Sequence, residues 1–514
     1  MKRGGHRKHE QKPRISTKLS AVVLALLMVV MFMPTSVMAE GSADTGGGTP
    51  AAELQSGSDQ ESGGSEAGSG NNSGEAEEGQ QTDSEVAQPV ARIERTGTEY
   101  SDIDEAIAAA ESGDTIILLD NVQPKKTFYK SLTFRSEGTN FFSVTYDVVG
   151  WRYSGDLTFD HAKFVVNSDS GSKTADNTEA APWVAMVLKN ATLTLTNGAA
   201  ASYSFDSNEG VKCAIYTDEG VDSSIIVENV SSFSVHGRNT KGIDGQGVQL
   251  GNTANCKISV TGGSDFLIDG CNRGYVNSPT VEVNNSTFTV QNCSANASNG
   301  GTFTAVDSTV NFLNNGGHGL SAGDALIQKS TLTSTGNGYT GIHIGGNLEV
   351  IEGSKVTARG NGWNGWDADR FAGLRINGNG ELDSKSSIDI ENNYEVGMRI
   401  EGENSNVDLS AGSVTIKDNG IPNIGSFQNE YYSWDKSSRE GKFNNTKGGG
   451  IWNKGTLRLP ESAAVYNNHA EKAGDDIYST GTVTFGKVGS GWTLDAGANG
   501  GGRADASGKV TGTD

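Results

Sequence analysis

Between residues 266 and 468 the chain repeats one six-residue phrase of apolar and polar positions. The order is apolar, x, apolar or small, x, then Gly, Asn or Asp, then usually Asn. It reads Phe266-Leu-Ile-Asp-Gly-Cys271, Phe288-Thr-Val-Gln-Asn-Cys293, Val310-Asn-Phe-Leu-Asn-Asn315 and Leu332-Thr-Ser-Thr-Gly-Asn337. It continues as Val356-Thr-Ala-Arg-Gly-Asn361, Ile388-Asp-Ile-Glu-Asn-Asn393, Val414-Thr-Ile-Lys-Asp-Asn419 and Ala463-Ala-Val-Tyr-Asn-Asn468. Alternation with period two over so short a run is the mark of a β-strand, and the Gly/Asn/Asp position marks a corner. The last positions are spaced by 22, 22, 22, 24, 32, 26 and 49 residues. A minimum of 22 with only positive excursions is one coil of a solenoid plus loops. A sandwich rich in Asn-Gly turns does not hold one column through seven such intervals. The expected fold is all-β, a single-stranded parallel β-helix, right-handed by the crossover rule for parallel strands. The Asn column should then form an inner ladder of stacked amides.

The strand after each column residue aligns as well: Gly319-Leu-Ser, Gly341-Ile-His-Ile, Gly373-Leu-Arg-Ile, Gly397-Met-Arg-Ile and Gly450-Ile-Trp. Alternation sends Leu320, Ile342, Leu374, Met398 and Ile451 inward. It sends Ser321, His343, Arg375, Arg399 and Trp452 outward in one row, with Tyr339, Phe371 and Glu395 on one flank and Asn377 and Glu401 on the other. Two long excursions open just before this row. One holds Trp363, Trp366, Asp367, Asp369 and Arg370, and the other holds Phe427, Tyr431, Tyr432 and Trp434. Long loops on a regular scaffold tend to carry function. Aromatic rings beside a His/Arg row offer a stacking wall for sugars and cations for carboxylates or sulfates. The bland alternative is that the rings pack back on the helix and the arginines balance nearby acids.

The ends differ from this body. Lys2, Arg3, Arg7, Lys8, Lys12, Arg14 and Lys18 precede an apolar run from Leu19 to Met33, and Val37-Met-Ala39 offers small residues for cleavage. That order is an export signal over residues 1–39. Its apolar run is short of the roughly 20 residues a span needs, so the mature chain is expected not to span a membrane. Removing it takes away seven of 40 basic residues and one of 62 acidic ones, moving the net charge from −22 to −28. A surface so acidic repels nucleic acid. Residues 40–90 carry no Lys or Arg before residue 90 and are rich in Gly, Ser and Glu. They have too little to bury and read as a disordered acidic tether. Residues 91–488 are assigned to the β-helix and 489–514 to a Gly-rich tail. Ile103, Ala106, Ile107 and Ala110 make one helical face with Ser101 as N-cap, and Ser112-Gly-Asp114 leads into a strand from Thr115. Such a short helix would cap the open end of the solenoid.

This helix–Gly-Asp–strand opening and the coil pattern resemble the pectate-lyase-like superfamily of β-helices. Gly448-Gly-Gly-Ile-Trp452 and Tyr466-Asn-Asn-His-Ala-Glu-Lys-Ala-Gly-Asp-Asp-Ile-Tyr478 resemble repeats of Gram-positive exported or cell-surface β-helix proteins. The resemblance covers residues 91 to about 488 and implies the fold more than a function. Gly316-Gly-His-Gly-Leu-Ser-Ala-Gly323 is similar to the histidine motif of polygalacturonases. However, the preceding coil, Ser294-Ala-Asn-Ala-Ser-Asn-Gly-Gly-Thr-Phe303, has no acid, and no Lys follows Arg375-Ile or Arg399-Ile. Inverting hydrolysis needs two carboxyl groups about 6.5–9.5 Å apart. The leading expectation is a non-catalytic binder of glycans or another extracellular surface. The alternatives are a lyase or hydrolase of acidic glycans, with Asp367, Asp369, Glu395 or Glu401 supplying acid–base groups, and a rigid spacer. Cys271 and Cys293 occupy the column in adjacent coils, close enough for a disulfide or for two stacked buried thiols. Cys213 and Cys256 read as core. No cysteine spacing matches a zinc site, and no cofactor is expected, with calcium left open.

Overall fold

The computed structural model describes residues 87–484 except 169–172, 175–182, 207–210, 239–244, 278, 365–370, 421–426, 429–432, 435–446 and 471–472. Two short strands, Arg503–Ala504 and Val510–Thr511, are described beyond them. The expected export signal, nearly all of the tether and most of the tail lie outside the described residues. A complete coil lays one strand on each of three faces. A coil in the middle of the chain runs through Ala325–Gln328, Thr331–Thr335 and Ile342–Ile344 before Leu348–Ile351 begins the next. Stacked coils give a 16-stranded sheet, a 13-stranded sheet, and a third face formed by a five-stranded and then a six-stranded sheet. Pairing between coils is parallel; on the first face, for example, Leu326 pairs with Glu349 and Glu349 with Glu381. The fold is a parallel β-helix.

The six-residue phrase is a strand of the 13-stranded sheet followed by its corner. Its fifth position takes a left-handed backbone, as at Gly270, Asn292, Asn314, Gly336, Gly360, Asn392, Asp418 and Asn467. Only Gly, Asn and Asp adopt that conformation at low cost, which explains the composition of the column. The next residue then turns its side chain inward. From Asn315 to Asn468 these amides form the expected ladder: Asn337 Nδ2 donates to Asn361 Oδ1 at 2.9 Å, Asn361 to Asn393 at 3.0 Å and Asn393 to Asn419 at 2.8 Å. Each Oδ1 also accepts the backbone N–H of the preceding rung, as Asn393 Oδ1 does from Asn361 at 3.0 Å. The spare amide proton reaches a strand carbonyl, as from Asn361 to Ser334 at 3.0 Å. All of these polar groups are therefore satisfied inside an apolar tube. The chain of donors ends on a carboxylate, since Asn468 Nδ2 donates to Asp476 Oδ1 at 2.9 Å.

A second ladder stands at the corner between the 16- and 13-stranded sheets. Backbone N–H groups of Ser264, Ser286, Ser308, Ser330 and Ser354 donate to the hydroxyls of Ser286, Ser308, Ser330, Ser354 and Ser386 at 2.9–3.2 Å. The interior otherwise changes along the axis. Its earlier part is aromatic, with Phe233, Phe266 and Phe288 stacked at 4.7 and 4.8 Å. That is the strand-to-strand spacing of a sheet, so one ring per coil stacks without gaps.

Of the two alternatives for the cysteines, the structure has stacked thiols: none of the four is in a disulfide and all are buried. Cys271 and Cys293 continue the ladder column upward, and the Cys293 N–H donates to Asn315 Oδ1 at 3.0 Å. Burial pushes the thiols of Cys213, Cys271 and Cys293 well up, away from the reactive thiolate. The capping helix spans Ile103–Ala109 and buries Ile103, Ala106 and Ile107. Its N-cap is Asp102, whose carboxylate accepts the Asp104 N–H at 2.7 Å, rather than Ser101. No helix among the described residues is long and apolar enough to cross a membrane.

Candidate functional site

The six-stranded sheet holds the strands Leu320–Ala322, Ile342–Ile344, Ala372–Ile376, Val396–Ile400, Ile451–Asn453 and Ile477–Ser479. Its register pairs Ser321 with His343, His343 with Arg375, Arg375 with Arg399, Arg399 with Trp452, and Trp452 with Tyr478. The expected row exists and runs one coil further, to Tyr478. Leu320, Ile342, Leu374, Met398 and Ile451 are in the interior core. Two residues further along each strand, Asn377, Glu401 and Lys454 form a second outward column.

Charge on this face converges on Glu401. Arg375 Nη2 lies 3.6 Å from its carboxylate, Lys454 Nζ lies 3.8 Å away, and Arg399 Nε donates to it directly. Three cations thus gather around one carboxylate on a chain whose net charge is −22. The Arg399 guanidinium lies 4.0 Å over the Trp452 ring, and Lys454 Nζ lies 4.8 Å from the same ring. Arg375 Nε donates to Asn377 Oδ1 at 3.3 Å, and Asn377 Nδ2 sits 3.4 Å from His343 Nε2. Lys447 Nζ extends the cationic strip, 4.9 Å over the Tyr478 ring.

An aromatic wall flanks the row. Tyr339 and Phe371 stack at 4.6 Å with 10° between their planes. His318 meets Tyr339 edge-on at 5.4 Å and lies 5.7 Å from His343. Burial, then the charge of His343, lowers His318 to about 4, and burial, then the charge of Arg375, lowers His343 to about 4. Both rings are therefore neutral at ordinary pH and offer hydrogen bonds rather than charge. The buried His318 Nδ1 has no hydrogen-bond partner.

Several residues expected to touch a ligand are engaged within the fold. Trp363 is 5% exposed, and its indole N–H donates to the Gly336 carbonyl at 2.9 Å, so it packs back on the helix. Glu395 is 1% exposed and accepts the Phe371 N–H at 2.9 Å, which fixes the start of the Arg375 strand. Phe371, Arg399 and Trp452 are also buried. Trp452 packs with Ala372, Val396 and Tyr478, beneath the two cations, and is no open stacking platform. Trp366, Asp367, Asp369, Arg370, Tyr431 and Tyr432 lie outside the described residues. Of the second loop, the backbone pairs Phe427 with Trp434 in a short antiparallel ladder. Both insertions, 365–370 and 421–446, fall in chain order between a ladder Asn and a strand of this face.

Lys454 and His318 were missed as site residues. Parity marks Lys454, which follows Trp452 by two as Glu401 follows Arg399. His318 had been set aside with the hydrolase-like motif. Among the described residues no group of three or more His, Cys, Asp or Glu is placed to hold a metal ion. The described residues of this face set cationic side chains beside an aromatic edge. Among the described residues, Glu401 is engaged by three cations and Glu395 by a backbone N–H. No protein-family model matches this chain, and comparison with curated proteins and with solved structures gave no match.

Proposed function

We propose that this chain is an exported or cell-surface β-helix that binds acidic glycans without catalysis, through the outer face of the six-stranded sheet. The observation that carries this reading is the convergence of Arg375, Arg399 and Lys454 on one face of an acidic chain, set beside the Tyr339–Phe371 stack. Arginine forks pair with carboxylate or sulfate groups, and ring faces with the apolar faces of sugars. The signal-like order of residues 1–39 and the acidic segment after it support export and display away from a surface. The resemblance of the coils to pectate-lyase-like β-helices, and of residues 448–478 to Gram-positive surface repeats, supports the same reading.

Glycan-array binding by the full chain tests it. Binding should favour uronate- or sulfate-bearing glycans and fall at least tenfold in Arg375→Ala, about the loss of one charge-assisted pair. Tyr339→Ala, and Trp366→Ala and Trp434→Ala in the two loops, should weaken it less. Binding only to neutral glycans, or indifference to Arg375→Ala, would remove this face as the site. Unsaturated or reducing-end products released from acidic polysaccharides would replace the binder by an enzyme.

A further inference from the structure

The cluster around Glu401 contains one tight contact and two loose ones. Arg399, with its side chain 8% exposed, donates Nε directly to the carboxylate. Its Nη1 is buried without a hydrogen-bond partner. Arg375 and Lys454 are more exposed, at 22% and 39%, and stand 3.6 and 3.8 Å from Glu401. Those distances are well beyond the 2.7–2.9 Å of a charge-assisted hydrogen bond. The two outer cations therefore feel the Glu401 charge without being bonded to it, and one carboxylate is shared among three cations from three successive coils. Glu401 itself is 19% exposed, against 8% for Arg399.

We infer that Glu401 is a built-in competitor for the anion this face binds. Its carboxylate offsets part of the charge of the outer cations before a ligand arrives. An acidic group of the glycan takes over Arg375 and Lys454 on binding, while Arg399 keeps Glu401. No bond is made or broken; the exchange is of ion pairs. This inference rests on the acidic-glycan reading and adds what sets the strength of that site. It turns an apparently structural ion-pair network into a device that keeps weak anions out, because an incoming group must compete with a tethered carboxylate at high effective concentration.

The test is titration calorimetry on the full chain at low salt. The probes are oligogalacturonate for carboxylates, inorganic sulfate, and a neutral gluco-oligosaccharide. Glu401→Gln keeps the shape and a hydrogen-bond acceptor for Arg399 but removes the charge. It should bind oligogalacturonate and sulfate roughly tenfold more tightly, the gain expected for removing one close like charge. The salt dependence should steepen, and the neutral probe should not change. If the wild type binds the acidic probes and Glu401→Gln binds them equally or more weakly, Glu401 is a positioning residue, and the competitor is overturned while the glycan reading stands. A gain shared by the neutral probe overturns it too, since the site would then have been opened sterically. No binding of either acidic probe by either protein defeats the glycan reading, and this inference with it. Should Glu401→Gln lose the native circular dichroism, Glu401→Asp takes its place. That variant holds the charge further from Arg375 and Lys454 and should bind two- to threefold more tightly, by the weaker Coulomb term of a longer separation. Equal or weaker binding by it overturns the inference.

Discussion

The earlier and later parts of this solenoid solve the same two problems differently. Inside, the earlier coils fill the tube with stacked rings, Phe233 on Phe266 on Phe288. The later coils use Ile, Leu and Val and hold the corner with the amide ladder from Asn315 to Asn468. Outside, the third face of the earlier coils carries an apolar cluster of Val184, Val187 and Cys213 with Trp183 and Tyr216. The third face of the later coils carries Arg375, Arg399, Lys454 and Glu401. The backbone is the same in both, so the coil does not dictate the contents. Stacked rings are non-directional and tolerate misalignment, whereas an amide ladder demands one residue type at one position in every coil. The strict column and the charged face occur together in the later coils, where side chains on three successive coils must meet within a few ångströms.

Four changes break or sharpen this contrast, in falling order of effect. Phe266→Ala should cost about 3–5 kcal/mol, through lost burial and a cavity between two rings. Asn361→Ala should cost about 2–4 kcal/mol, because the N–H and amide of Asn337 and the Ser334 carbonyl each lose a buried partner. Solenoid repeats are coupled mainly to their neighbours, so hydrogen exchange should localise each loss to its own coils. An Asn361→Ala loss below about 1 kcal/mol would mean that the ladder does not hold the later coils.

Acid should act next, and on the later coils. His318 and His343 titrate near 4 when folded and near 6.5 when unfolded, so the unfolded chain binds protons first. Their contribution is complete above about pH 6.5 and is lost as the pH falls towards 4, at no more than about 3 kcal/mol each. Thermal melts of His318→Gln should fall less steeply over that window, and an unchanged slope would refute the assignment. The smallest effect is expected for Cys293→Asn, which adds a rung above Asn315. It should change stability by about 1 kcal/mol or less, with gain the expected sign, read by chemical denaturation. A large loss would show that the thiol stack around Cys271 is as selective as the ladder.

Much of this was legible in the chain. The six-residue phrase named the ladder residues, and alternation placed His343, Arg375, Arg399 and Trp452 in one row that the register reproduces. The serine ladder went unread, although Ser264, Ser286, Ser308, Ser330, Ser354 and Ser386 follow the same intervals as the amides. Serine is common enough on strand ends that its recurrence did not stand out. The helix N-cap was misread by one residue because Ser101 and Asp102 are both good caps.

What the sequence determined by itself was the coil: its period, its corners, its ladder column and which way each strand residue points. These depend on local backbone preference and alternation, which adjacent residues encode. Tertiary structure decided which of the outward residues are open. Trp363, Glu395 and Trp452 all read as ligand contacts, yet they are held by Gly336, Phe371 and Arg399, residues 24–53 positions away. Likewise, the meeting of Arg375, Arg399 and Lys454 on Glu401 depends on how long side chains bend between coils. Alternation gives direction from the sheet but not that final reach.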